Sequence, residues 1–113
     1  MITLAAEQRD RVLLIRVSGD LDARAAPQLR ELCAAACAGG AHRIVLNLNH
    51  VTYIDSPGLA VIAGAQKRCR AHGGDLAVVC AADAVLEHLR ACGLIGPLNV
   101  SGSFADAASA VTA

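Results

Sequence analysis

Ile44-Val45-Leu46-Asn47-Leu48, a polar interval from His50 to Ile54, and then Asp55-Ser56-Pro57-Gly58-Leu59 form the stretch on which the reading of this chain turns. The first five residues are an almost continuous apolar run, which suits a strand covered on both faces. The interval reads as a loop. Ser56 before Pro57 then opens a helix. A serine oxygen can accept a bond from an orphan amide, and proline in the first turn sacrifices no useful donor. That helix is expected from about Pro57 to Ala71.

Working outward, residues 2–8 and 11–18 are two short runs separated by Arg9-Asp10, and they read as an N-terminal hairpin. Beyond Gly19-Asp20-Leu21-Asp22 the period changes. Leu29, Leu32, Cys33, Ala36 and Cys37 fall on one helical face, between Pro27 and Gly39-Gly40. On the other side, Leu76 to Cys80 reads as a buried strand. A helix from about Ala82 to Ala91 follows, presenting Val85, Leu86 and Leu89 and closed by Gly93. A weak strand near Leu98 to Val100 precedes a last helix, whose start is marked by Ser103 with Asp106 three residues on, as in a capping box. The expected class is α/β. A mixed sheet begins with the hairpin, and about four helices pack against it in a single pair of layers. Residues 1–113 are expected to make one domain, with no repeat or linker.

Composition excludes several functions. Of 113 residues 55% are hydrophobic and 18% charged, the balance of a chain that folds by itself. Ten acidic residues offset ten basic ones, so no field recruits nucleic acid or an anionic membrane. Tyr53 and Phe104 are the only Phe, Tyr or Trp rings, too few for a base-stacking platform. The first ten residues lack a basic region followed by an apolar one, and no apolar run is long enough to span a bilayer. A cytoplasmic location is expected.

The cysteines at 33, 37, 69, 80 and 92 are odd in number and form no Cys-x-x-Cys pair, which argues against a disulfide framework and a zinc site. Cys33 and Cys37 lie one helical turn apart and could share a ligand, but all five read as reduced packing residues. His42, His50, His72 and His88 are scattered over different elements and read as surface or loop residues. No metal or cofactor is expected.

Loops at the carboxyl ends of parallel strands carry function in open α/β sheets. Asp20 and Asp22 follow the second strand, and Asp55-Ser56-Pro57-Gly58 follows the third. If those strands are parallel neighbours, carboxylates and hydroxyl share one rim. A phosphoryl group on Ser56 would meet the amides and positive dipole end of a helix N-terminus. About two negative charges would then appear near Asp20, Asp22 and Asp55, repelling a docked partner without unfolding the domain. Capping the helix is the plainer role for Ser56, and the two are compatible.

These residues also carry a resemblance. Val51 to Ala65 resembles the signature of STAS-domain anti-sigma factor antagonists, Asp-Ser-Ser/Thr-Gly-Leu-Gly. Val17-Ser18-Gly19-Asp20-Leu21-Asp22 is similar to the family's Gly-Glu/Asp-Leu/Ile-Asp segment, and the 44–48 run to its central strand. The resemblance implies a bacterial partner-switching protein. Its unphosphorylated form binds an anti-sigma factor serine kinase and frees the sigma factor. Phosphorylation ends binding, and a metal-dependent phosphatase restores it. Carried over by position, Ser56 is the phosphoacceptor, Asp55 the motif aspartate and Asp22 the nearby acidic residue. Pro57 and Ala60 depart from the motif. The docking surface is expected to take in Asp20, Asp22, Asp55, Pro57, Gly58 and Leu59, with Ala60, Val61 and Gly64 on the open side of the helix, away from Leu59, Ile62 and Ala63. The protein is expected to be a monomer or weak dimer. The alternative is the STAS subunit of a lipid-transport ABC system docked on its ATPase. An enzyme is not expected, because the Gly-x-Ser-x-Gly elbow is absent and no histidine base can be placed beside Ser56.

Overall fold

A computed structural model describes residues 1–113. In chain order the elements are β1 (Ile2–Arg9), β2 (Val12–Leu21), α1 (Ala26–Ala38), β3 (Arg43–Ile54), α2 (Ser56–Ala71), β4 (Asp75–Val79), α3 (Asp83–Ala91), β5 (Val100–Ser101) and α4 (Phe104–Thr112). The expected α/β class, the hairpin and the four helices are all present. One five-stranded sheet runs β1-β2-β3-β4-β5. β1 is antiparallel to β2, and every later pairing is parallel.

Two differences from the expected plan have physical causes. The helices do not share one layer. Ile15, Val17, Ile44, Leu46, Leu48, Leu76 and Val78 point to one face of the sheet and pack with α1, α2 and α3. The alternate side chains Val12, Leu14, Val45, Ala77 and Val79 point to the other face and meet Ala107 and Val111 of α4. The period-two alternation of a strand divides an apolar run between both faces, so the central strands need cover on each.

The second difference is that β3 does not stop at Leu48. It continues through the interval read as a loop, with Ser18 opposite His50, Asp20 opposite Tyr53 and Leu21 opposite Ile54. β4 pairs with β3 only as far as Asn47–Val79. Beyond that point β3 leans on β2 alone, so its exposed positions His50, Thr52 and Tyr53 tolerate polar groups while Val51 and Ile54 are buried. Two register irregularities, between Arg16 and Ser18 and between Gly19 and Asp20, interrupt the β2–β3 pairing toward the end of β2. No helix is long and apolar enough to cross a membrane.

Candidate functional site

The rim at the carboxyl ends of β2 and β3 is held by backbone contacts. Asp55 donates its amide to the carbonyl of Leu21 at 3.4 Å, which ties the start of α2 to the end of β2. Gly58 seals this junction. A Cβ there would lie 2.3 Å from the Leu21 carbonyl oxygen and 3.2 Å from Ile54 Cγ1, so only glycine lets the helix approach so closely.

Asp55, not Ser56, caps α2, because its Oδ1 accepts the Gly58 amide at 3.1 Å. This corrects the expected capping role of Ser56. Ser56 is the first residue of the helix, and its side chain is exposed. The anion site is also leaner than expected. Pro57 has no amide and Asp55 occupies that of Gly58, which leaves the amide of Ser56 as the donor of that turn beside the positive end of the helix.

Asp20 and Asp22 stand on the same rim. Asp20 Oδ1 accepts the Thr52 hydroxyl at 2.7 Å. Asp22 Oδ1 accepts the amides of Arg24 at 3.0 Å and Ala25 at 3.1 Å, steadying the turn into α1. Because β2 and β3 are parallel neighbours, the three carboxylates and the hydroxyl share one edge, as the sequence suggested.

The expected docking residues divide. Ser56, Pro57, Ala60 and Gly64 are exposed, and Asp20, Asp22 and Asp55 are half-buried. Gly58, Leu59 and Val61 are buried and hold the helix in place. Val61 was expected on the open side and Ala63 on the covered one; the reverse is found, because α2 packs against α1 as well as the sheet and its α1-facing side also needs apolar cover. Ala60 and Gly64 line a groove of about 270 Å³ between α1 and α2, flanked by Arg30 and Arg68.

Sequence reasoning missed Tyr53 and His88. A cleft of about 340 Å³ beside Ser56 is lined by Thr52, Tyr53, Asp55, Ala84, Val85 and His88. Tyr53 is 53% exposed, the one large apolar side chain besides Met1 left open to solvent. No local signal pointed to it: strict alternation would put Tyr53 on the side of buried Val51, whereas Val51 and Ile54, three apart, are both buried and Tyr53 faces outward beside a register shift in the β2–β3 pairing. The histidines are not all scattered either: the rings of His42 and His72 stack at 4.5 Å beside Cys37.

With this geometry in view, the family model described as the STAS domain matches residues 3–107. The chain belongs to the STAS domain family. Within it the chain stands with the anti-sigma factor antagonists. It is 25% identical over 100 residues to the anti-sigma-B factor antagonist of Staphylococcus aureus, covering 88% of this chain and 93% of the relative. The crystal structure of an anti-sigma factor antagonist from Mycobacterium paratuberculosis superposes with a TM-score of 0.85 at 26% identity, covering 100% of this chain and 96% of that one. The anti-sigma factor antagonist SpoIIAA, solved in its unphosphorylated form, gives 0.61 at 25% identity over 68% of this STAS chain and 72% of its own. These relatives are by name antagonists of anti-sigma factors, in keeping with the regulator expected from sequence.

Proposed function

We propose that this STAS protein is a phosphorylation-controlled anti-sigma factor antagonist that acts in the cytoplasm. The unphosphorylated form binds an anti-sigma factor serine kinase and releases the sigma factor; phosphate on Ser56 ends that binding, and a phosphatase removes it. The observation that carries this reading is the exposed Ser56 hydroxyl at the first position of α2, on a rim shared with Asp20, Asp22 and Asp55.

The free state is uncrowded enough to dock. Tyr53 offers a rigid aromatic anchor, and Ala60 and Gly64 offer close approach along the groove. A phosphoryl group brings a charge of about −1.5 to −2 at neutral pH. With a single free amide beside it, that charge stays directed at the partner, next to three carboxylates that a docked surface would have to desolvate. Helix α2 keeps its cap on Asp55, so the domain stays folded in both states.

The test is a binding titration against the cognate anti-sigma kinase with the wild type, Ser56→Ala, Ser56→Asp and Tyr53→Ala. Ser56→Ala is expected to bind and to resist dissociation by ATP, and Ser56→Asp to bind poorly. Tyr53→Ala is expected to weaken binding by about 2 kcal/mol, the scale of an aromatic hot spot. Equal binding by the two Ser56 variants and the wild type, or phosphate mapped to another residue after kinase treatment, would refute the proposal. Copurification with an ABC ATPase and no phosphate on Ser56 in cells would favour the transport reading.

A further inference from the structure

We propose that Cys37, His42 and His72 form a binding site for a thiophilic divalent metal ion, with Zn²⁺ as its reference occupant, at the end of the domain opposite Ser56. The three residues come from the last turn of α1, the α1–β3 connection and the C-terminal cap of α2. Nδ1 of His42 lies 3.5 Å from the Cys37 sulfur, and Nδ1 of His72 lies 3.8 Å from it. Sulfur and nitrogen corners of a tetrahedron with Zn–S near 2.3 Å and Zn–N near 2.0–2.1 Å are about 3.6 Å apart, so both sulfur–nitrogen distances suit a metal; the two rings, now stacked 12° from parallel, turn so that both nitrogens face it. All three ligand atoms lie within 4.8 Å of one another. Of the five cysteines, Cys37 is the one with imidazole nitrogens beside its sulfur.

The helix ends partly offset the arginines nearby, Arg11 and Arg43 in a hollow with His42 and Arg68 and Arg70 in the last turn of α2, and the backbone holds the ligands. Both α1 and α2 end here, so two negative dipole ends converge on the site. The backbone of His42 is pinned, because its carbonyl accepts the Asp75 amide at 3.0 Å. Gly74 permits that approach: a Cβ there would sit 1.6 Å from the His42 carbonyl oxygen. Cys37 is buried, His42 half-buried and His72 exposed, which leaves an entry path from solvent on the His72 side.

Binding balances as a proton release. The metal takes the Cys37 thiolate, and the thiol proton leaves to water. Each imidazole coordinates in its neutral form through Nδ1, with its N–H on Nε2. Nδ1 of His72 now lies 3.0 Å from the Arg68 carbonyl oxygen, and the ring gives up that hydrogen bond by turning when the metal takes the nitrogen. Three protein ligands leave a fourth position open. The α2 helix has 16 residues and so is about 24 Å long, which separates this site from the phosphoacceptor at its other end. The assignment is therefore independent of the switch.

The test uses the full chain carrying Cys92→Ser, which removes the exposed thiol, titrated with Co²⁺ and then Zn²⁺ under argon. One equivalent of Co²⁺ is expected to give a thiolate-to-cobalt charge-transfer band and the intense visible bands of tetrahedral cobalt, and Zn²⁺ is expected to bleach both. Cys37→Ser should abolish the charge-transfer band. His72→Ala, at an exposed helix cap, should lose the stoichiometric binding while keeping the parent's circular dichroism spectrum. Zn²⁺ should raise the melting temperature of the parent and leave that of His72→Ala unchanged. A weak octahedral cobalt spectrum, or a charge-transfer band that survives in either variant, would overturn the assignment. Should Cys37→Ser fail to fold, the His72→Ala spectrum and melt decide alone.

Discussion

Two glycines of α2, Gly58 and Gly64, sit in the same helix, and the structure gives the same substitution opposite signs at them. At Gly64 a Cβ would meet nothing within 4 Å, so Gly64→Ala gains helix propensity without a clash. That is worth about 0.5–1 kcal/mol. Gly58→Ala has the same propensity gain, but its Cβ would lie 2.3 Å from the Leu21 carbonyl oxygen and 3.0 Å from Leu21 Cγ. The obstacle is backbone, which cannot rotate away, so α2 must move off the end of β2. Overpacking of this kind costs about 1–3 kcal/mol. The displacement also strains the bond from the Asp55 amide to Leu21, worth about 1 kcal/mol. Against the propensity gain, the net loss is about 1–3 kcal/mol. For a domain of this size each kcal/mol shifts the melting temperature by roughly 4 °C. Urea unfolding followed by circular dichroism at 222 nm reads both variants on one scale. Gly64→Ala should raise the midpoint and Gly58→Ala should lower it, each with an unchanged slope. A Gly58→Ala protein as stable as the wild type would refute the close approach of α2 to β2, and with it the geometry of the rim.

Two further outcomes follow from the core. Gln66, the one buried polar side chain, donates from Nε2 to the carbonyls of Leu76 at 3.1 Å and Pro97 at 2.8 Å; Leu76 keeps a second donor in Asn99 Nδ2 at 2.9 Å, so Gln66→Leu should orphan the Pro97 carbonyl and cost about 1–3 kcal/mol in the same urea assay. Burial pushes the thiols of Cys33 and Cys69 from an ordinary value of 9.0 up to about 11, so the unfolded chain loses these protons before the folded one does. Their contribution is complete below pH 9 and is lost as pH rises toward 11. The urea midpoint should fall over that window, and a Cys33→Ala, Cys69→Ala double variant should flatten the fall.

The order of elements was legible because each rests on local chemistry. The run Ile44 to Leu48 needs cover whatever surrounds it, and Pro57 after Ser56 suits the first turn of a helix. The acidic residues of the rim were legible for the same reason, since loops after parallel strands converge. The cap was misassigned because Asp55 and Ser56 both have oxygens suited to it, and only the backbone angles at Asp55 and its reach to the Gly58 amide choose between them. The faces of α2 were misjudged at Val61 and Ala63, since helical period says which residues lie together but not how many neighbours the helix has.

The sequence by itself therefore determined the α/β class, the hairpin, the helix starts and the placing of Ser56 among carboxylates, because these follow from period, punctuation and chain order. Tertiary structure alone decided that α4 covers the second face of the sheet, that β3 runs on to present Tyr53, and that Cys37 meets His42 and His72. Cys37 and His72 stand 35 positions apart, a separation no local pattern spans. Only the packing of α1 against α2, with both ending at the same edge, brings that sulfur and that imidazole together.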